Sequence, residues 1–204
     1  LRNQSYKKAI ERFKIAIEKY REIGDHNGVA KSLNNLGNVY SNRIRGDQKD
    51  NLKTAVALYQ QAAQVVTQDA FPLKWAENRG CLAEALTKQA LLTNNSDNLD
   101  TAITLLKEAL EVAVPGSPDF IDSQYRLGNA LSHRFEQTQH ASDLQDALKA
   151  YKTALDAISP EHYDREKIWQ ALPTTQSVLG SRLVREGQWQ EGLQLLLNSV
   201  RLLS

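Results

Sequence analysis

A small residue, a large one four positions later and a small one three after that recur five times along the chain. The sets are Ala9/Phe13/Ala16, Ala55/Tyr59/Ala62, Ala102/Leu106/Ala109, Ala147/Tyr151/Ala154 and the weaker Gly192/Leu196/Ser199. Positions i, i+4 and i+7 share one helix face. Small residues there admit a neighbouring helix, and the large one fills the groove beside it. Successive sets begin about 46 residues apart, a period that points to a stack of supersecondary units.

A distinct helix, the first type of each pair, precedes four of these sets, which lie on the second type. It reads Leu36-Gly37-Asn38-Val39-Tyr40, Leu82-Ala83-Glu84-Ala85-Leu86, Leu127-Gly128-Asn129-Ala130-Leu131 and Leu179-Gly180-Ser181-Arg182-Leu183. Glycine inside a helix costs about 1 kcal/mol against alanine. Its recurrence at one register implies a close backbone contact that offsets the cost. Gly37, Ala83, Gly128 and Gly180 are therefore expected to face the following helix type with little exposure.

The two types alternate. Helices are predicted over 2–22, 26–44, 50–67, 72–92, 98–113, 118–137, 143–158, 163–186 and 189–203. Asn51, Asn98 and Asp143 are read as caps opening the second-type helices. Pro72 and Pro118 fit a first helical turn, with Ser117 as a cap. The expected fold is all-α: a right-handed superhelical solenoid of antiparallel helix pairs with about nine helices. It is read as one array over 1–204, with a partial unit at 1–25 and units at 26–70, 71–115, 116–160 and 161–204. Leu193, Leu195, Leu196, Leu197, Val200, Leu202 and Leu203 make the last helix apolar on most sides. The chain also has no methionine. Both features suggest a segment of a larger protein, with the last helix packed against a further repeat or domain.

Composition narrows the function. Charge is nearly balanced, with 25 basic and 24 acidic residues, which argues against a dedicated nucleic-acid or anionic-membrane surface. The first fifty residues carry 11 Lys/Arg against 6 Asp/Glu, and 101–150 carry 4 against 7. Solvated helix faces account for that imbalance. A lone Cys81 forms no intrachain disulfide and is read as a small packing residue. No apolar run reaches the roughly 20 residues of a membrane span, and a cytoplasmic location is expected. No phosphate loop, nucleophile elbow or His-Glu-x-x-His motif occurs. His26, His133, His140 and His162 are scattered. No cofactor or metal is expected, and no catalysis. Trp75 and Trp189 are expected in the core, and Trp169 is less constrained.

Leu-Gly-x-x-Tyr followed by Ala-x-x-x-Tyr-x-x-Ala resembles the tetratricopeptide repeat. Leu179-Gly180 with Gly187-Gln188-Trp189 and Gly192 is similar to its ordinary short-turn form. The insertion Asn42-Arg43-Ile44-Arg45-Gly46-Asp47, then Asp50-Asn51-Leu52 and Ala70-Phe71-Pro72 with Trp75-Ala76, resembles a long variant. That variant is found in cyanobacteria and other filamentous bacteria, often beside a caspase-like CHAT peptidase domain. The resemblance implies a non-enzymatic scaffold for a protein or peptide, or for a neighbouring domain of the same polypeptide. The Cys and His of any attached peptidase would lie outside this chain.

The resemblance also implies that the first helix type lines a concave groove. The face opposite its packing side then carries Lys31, Asn34, Asn38, Ser41 and Asn42; next Glu77, Glu84 and Lys88; then Asp122, Tyr125, Asn129, Ser132 and His133; and finally Thr174, Ser177, Ser181 and Arg185. Asn34, Asn38 and Asn42 form an i, i+4, i+8 ladder whose amides can grip an extended peptide backbone, or bond one another. A peptide sensor, in which a short ligand alters the superhelix, is the alternative to a scaffold.

Overall fold

The computed structural model describes residues 2–43, 46–159, 161–162 and 165–203. Among them the elements are α1 (Arg2–Glu22), α2 (His26–Ser41), α3 (Gln48–Val65), α4 (Pro72–Thr93), α5 (Ser96–Val112), α6 (Pro118–Thr138), α7 (Ala141–Ala157), α8 (Arg165–Arg185) and α9 (Trp189–Leu203). No strand occurs among the described residues. The chain forms two compact units, Leu1–Ala113 and Val114–Ser204. In each, consecutive helices pack side by side. The alternation expected from sequence is thus present, with helix ends shifted by up to three residues. Ile44 and Arg45, in the predicted insertion, lie outside the described residues, as do 160, 163 and 164 around the expected start of α8.

In the first unit, Ile17 of α1, Leu33 and Leu36 of α2, and Ala62 and Val66 around the end of α3 form one core. Ile10 and Phe13 pack against it from α1. Trp75 and Ala76 of α4 meet Ala109 of α5 in a second cluster. Trp75 is buried, as expected. Cys81 is also buried.

The recurrent glycines are packing devices. A methyl carbon on Gly37 would stand 2.5 Å from Cε1 of Tyr59, and one on Gly128 would stand 2.4 Å from Cε1 of Tyr151. Each glycine therefore accepts the face of a tyrosine from the next helix. The matching positions in α4 and α5 are Ala83 and Leu106, and both are fully buried. At α8 and α9 the approach is tighter. A Cβ on Gly180 would meet the carbonyl oxygen of Gly192 at 2.8 Å. Gly192 stands where the other second-type helices have alanine, so the backbones themselves are in contact. All four positions expected to be small and covered are buried.

The expected caps are corrected. Asp47 and Asn95 cap α3 and α5: Asp47 accepts from the Lys49 and Asp50 amides, and Asn95 from the Asp97 amide. His140 occupies the cap position of α7 without a side-chain bond. Asn51, Asn98 and Asp143 lie inside the first turn instead; Asn51 reaches back to the loop after α2, and Asn98 and Asp143 to the preceding helix. Asn51 donates to the Arg43 carbonyl (3.3 Å), Asn98 to Gln89 Oε1 (3.1 Å), and Asp143 takes two bonds from Arg134. The sequence pattern marks these positions correctly as polar, but their partners lie in the preceding loop or helix. Ser117 does cap α6, accepting from the Phe120 amide at 3.2 Å.

Trp189 overturns its expected core position, being 61% exposed. It starts α9 after a short turn, and its ring lies on the same side as exposed Leu193, Leu197 and Val200. The side chains of Leu202 and Leu203 lie outside the described residues. Pro173 sits within α8 and is buried there. It removes one amide from the helix ladder, so the Trp169 carbonyl lacks its usual intrahelical donor.

The glycine–tyrosine pairing gives a first prediction. Gly128→Ala should cost about 1–3 kcal/mol through overpacking against Tyr151. Combining it with Tyr151→Leu rebuilds the Ala83–Leu106 arrangement. The double variant should be more stable than the sum of the two single losses requires, by at least about 0.5 kcal/mol in a double-mutant cycle. Strict additivity in urea unfolding would show that the two positions are not one contact.

Candidate functional site

The first-type helices present their polar residues in two separate groups, one in each unit. In the first unit α2 and α4 lie close enough for side chains to cross. Lys88 Nζ pairs with Glu84 at 2.7 Å and donates to Ser41 Oγ (3.4 Å) and Asn42 Oδ1 (3.5 Å). Ser41, Asn42, Glu84 and Lys88 thus form one cluster. Lys31 is exposed further along α2. Glu77 is paired with Lys74 at 2.6 Å.

The expected asparagine ladder is not a row of equivalent ligands. Asn34, expected on the open face, is buried at 4% exposure. Its Oδ1 accepts from Asn78 Nδ2 at 2.8 Å, and the same amide nitrogen donates to the Tyr59 carbonyl at 2.9 Å. A buried amide needs its partners, and the α4 helix packing across α2 and α3 supplies them. Asn42 ends α2: its Nδ2 donates to the Asn38 carbonyl at 3.0 Å, and its own carbonyl accepts the Tyr6 hydroxyl at 3.0 Å. Asn38 and Asn42 are both exposed, but the Asn42 amide is engaged through both Nδ2 and Oδ1.

Asn38 has a defined orientation. The Tyr59 hydroxyl donates to its Oδ1 at 2.7 Å. The second unit repeats this residue for residue, with the Tyr151 hydroxyl donating to Asn129 Oδ1 at 2.8 Å. In both cases the asparagine follows the glycine that accommodates the tyrosine ring. Where the ring partner is Leu106 there is no hydroxyl, and the matching position is Glu84, which pairs with Lys88 instead. The hydroxyl occupies the amide oxygen and leaves the two N–H donors of Nδ2 on the open side. Sequence reasoning found the asparagines but not the tyrosines that aim them. The co-occurrence of Gly-Asn with Tyr and of Ala-Glu with Leu was the available signal.

The second unit adds an aromatic surface. Tyr125, one turn before Asn129, lies 6.0 Å from the Tyr151 ring, and Lys167 Nζ stands 4.3 Å over the Tyr125 ring. A cavity of about 620 Å³ opens beside Tyr125, with Ile121, Ile158 and Ile168 in its floor and Asp119 and Lys167 at its edge. Asp122 is engaged by Arg126 at 2.7 Å. His133 Nδ1 lies 3.1 Å from Glu136, and Ser132 Oγ lies 3.4 Å from the Tyr151 hydroxyl. On α8, Ser177 is half-buried, while Thr174, Ser181 and Arg185 are exposed. Burial pushes the Tyr151 hydroxyl well above its ordinary pKa of 10.0, with Tyr125 and Glu136 adding to the rise and the Ser132 bond opposing it.

Among the described residues, no group of three or more His, Cys, Asp or Glu side chains is placed to hold a metal. No helix among them is long and apolar enough to cross a membrane.

Two predictions follow from these bonds. Asn78→Ala removes the donor to a buried Asn34 oxygen and should cost about 1–3 kcal/mol, read as a lower urea midpoint. The raised Tyr151 pKa makes the folded state hold a proton that the unfolded chain releases above pH 10. Its stabilising contribution is whole below that pH and is lost as pH rises further. Stability should fall above pH 10, and Tyr151→Phe should flatten that fall; an unchanged slope in the variant would exclude Tyr151 as its source.

The family model of the tetratricopeptide repeat matches residues 29–67. No curated protein matches. Similar solved structures include that of the MamA protein, at 13% identity and a TM-score of 0.46, covering 95% of this chain and 91% of that one. The DHF58 filament aligns at 16% identity and a TM-score of 0.38, covering 96% and 94% respectively. Residues 29–67, which span most of α2 and α3, thus carry a tetratricopeptide repeat, and α6 with α7 reproduces its Gly–Tyr–Asn contact residue for residue.

Proposed function

We propose that the chain is a non-enzymatic protein-interaction scaffold, and that it holds an extended segment of a partner protein along the polar faces of its first-type helices. The observation that carries this reading is the paired orientation of Asn38 and Asn129. Each amide oxygen is taken by a buried tyrosine hydroxyl. Each Nδ2 therefore offers donors in a set direction, suited to backbone carbonyls of an extended peptide. Holding the amide by a core residue reduces the side-chain entropy that binding must overcome.

The remaining expected residues take graded roles in this reading. Lys31, Ser41 and the Glu84–Lys88 pair flank Asn38 and supply mixed charge. Asn42 contributes through its contact with Lys88. Tyr125 offers an aromatic surface beside Asn129, with His133, Ser177 and Ser181 as polar neighbours. Asn34 has no direct part, because it is enclosed; its role is to hold Asn78. Neither a cofactor nor a metal enters the reading. The ligand can be a neighbouring domain of the same polypeptide, and a link to a peptidase-bearing bacterial protein belongs to the same proposal, as does a cytoplasmic setting.

The test uses a partner captured from the source organism and verified with purified components. Asn38→Ala with Asn129→Ala should weaken its binding by about tenfold while circular dichroism and the melting temperature change little. Asn38→Asp and Asn129→Asp should be as damaging, because a carboxylate cannot donate. Unaltered affinity in both double variants would exclude these faces as the binding surface.

A further inference from the structure

The cavity beside Tyr125 is walled by departures from the repeat pattern. α4 starts at Pro72, ten residues before Leu82, whereas α8 starts at Arg165, fourteen before Leu179. The extra turn of α8 is tied to the end of α7: Arg165 Nη1 donates to the Leu155 and Ile158 carbonyls at 3.0 and 3.1 Å. Fixed there, that turn lays Ile168 in the cavity floor and Lys167 at its edge. Tyr125 stands two residues before Leu127-Gly128, where the first unit has Asn34 before Leu36-Gly37. Asn34 is shut in by Asn78 of α4. Thr175 holds the Asn78 position in α8, and its hydroxyl turns back to the Ala171 carbonyl of its own helix, 2.9 Å away. The place that an amide pair closes in the first unit thus borders open space in the second.

Charge says what this space receives. Its floor is apolar: Ile158 and Ile168 are buried and Ile121 is half-buried. Asp122 is taken by Arg126 at 2.7 Å. Asp119 lies in the first turn of α6, where the free amides of a helix start favour an anion. Lys167 differs. It is exposed, its ammonium stands 4.3 Å over the Tyr125 ring, and no carboxylate among the described residues pairs with it. An aromatic face holds the cation in position without neutralising it.

We infer that this cavity receives a large aromatic side chain of the partner's extended segment, and that a carboxylate close by in that segment pairs with Lys167. A volume of about 620 Å³ is that of a ligand pocket rather than a packing gap. The Tyr125 ring offers an aromatic guest an edge or an offset face. The carboxylate follows from the bare cation at the apolar edge, where a like charge would be repelled. The inference rests on the scaffold reading, in which Asn129, one turn from Tyr125, holds the segment's backbone; it adds what that segment must carry.

The test follows the 204-residue chain by NMR of labelled isoleucine methyl groups while extended peptides are added. The peptides have about twelve residues and are rich in glycine and serine. One carries a single tryptophan followed by two glutamates. A second has lysines in place of the glutamates, and a third has alanine in place of the tryptophan. The tryptophan–glutamate peptide should bind at least about tenfold more tightly than either of the others. It should shift the Ile121, Ile158 and Ile168 methyls, and salt should weaken it. Lys167→Glu should reverse the preference towards the lysine peptide; Lys167 is exposed, so the fold should be retained by circular dichroism. Asn129→Ala should weaken all three peptides alike and leave the preference in place. If Asn129→Ala has no effect while the Lys167→Glu reversal holds, the scaffold surface fails and the cavity stands. Equal binding of the glutamate and lysine peptides, no binding of either, or binding that leaves the three isoleucine methyls unmoved would overturn the inference. Free indole binding as tightly as the tryptophan–glutamate peptide would also overturn it, by making a small molecule the occupant.

Discussion

Much of the structure depends on one contact, the seating of a tyrosine ring on a glycine of the preceding helix. The missing Cβ at Gly37 and Gly128 leaves room for the rings of Tyr59 and Tyr151. An α-carbon with any side chain would hold the helices further apart and open a gap that the interior does not tolerate. The tyrosine then reaches past the glycine, and its hydroxyl emerges beside the next residue, Asn38 or Asn129. A packing solution therefore determines how a surface amide points. The matching positions in α4 and α5 are Ala83 and Leu106, both buried, and leucine brings no hydroxyl. The surface residue there is accordingly Glu84, which finds its partner on its own helix.

A second set of contacts fixes where each helix pair begins. Asn51 bonds to the loop just after α2, and Asn98 and Asp143 bond to the last turns of the helix before them. The Arg134–Asp143 pair is the strongest in form, a two-pronged guanidinium–carboxylate contact whose acid is almost entirely enclosed. Such geometry sets register more than it adds stability. Asn94 and Gln139, both in the left-handed region at φ 51° and 61°, close α4 and α6 and turn the chain back for the next helix. Left-handed closure costs a non-glycine residue. At Gln139 local bonds oppose that cost: its Nε2 donates to the Phe135 and Glu136 carbonyls, and its carbonyl accepts from Arg182.

Function follows from what these contacts leave over. Helix pairs that bury their small and large residues between them expose polar faces, and the proposed binding of an extended segment rests on these. Exposed Trp189, Leu193, Leu197 and Val200 line one side of α9, showing that the repeat's apolar pattern continues to the last described helix.

The sequence by itself determined the all-helical class, the alternation of two helix types and the buried small residues. Periodicity and side-chain volume are local properties, and Leu-Gly-x-x-Tyr with Ala-x-x-x-Tyr-x-x-Ala states them directly. It also placed Asn38, Asn129, Tyr125, Glu84 and Lys88 on the polar side. Only the tertiary structure decided which of these remain available. Asn34 and Asn38 are one turn apart on the same helix, and no periodicity separates them. Asn34 is enclosed because α4 brings Asn78 against it, and Asn38 is held open because Tyr59 arrives from α3. Trp189 was misplaced for the converse reason: its residue type suits a core, but no element among the described residues covers it. Asn51, Asn98 and Asp143 looked like caps because a cap and an interhelix tie need the same small polar side chain, and only the position of the preceding helix tells them apart.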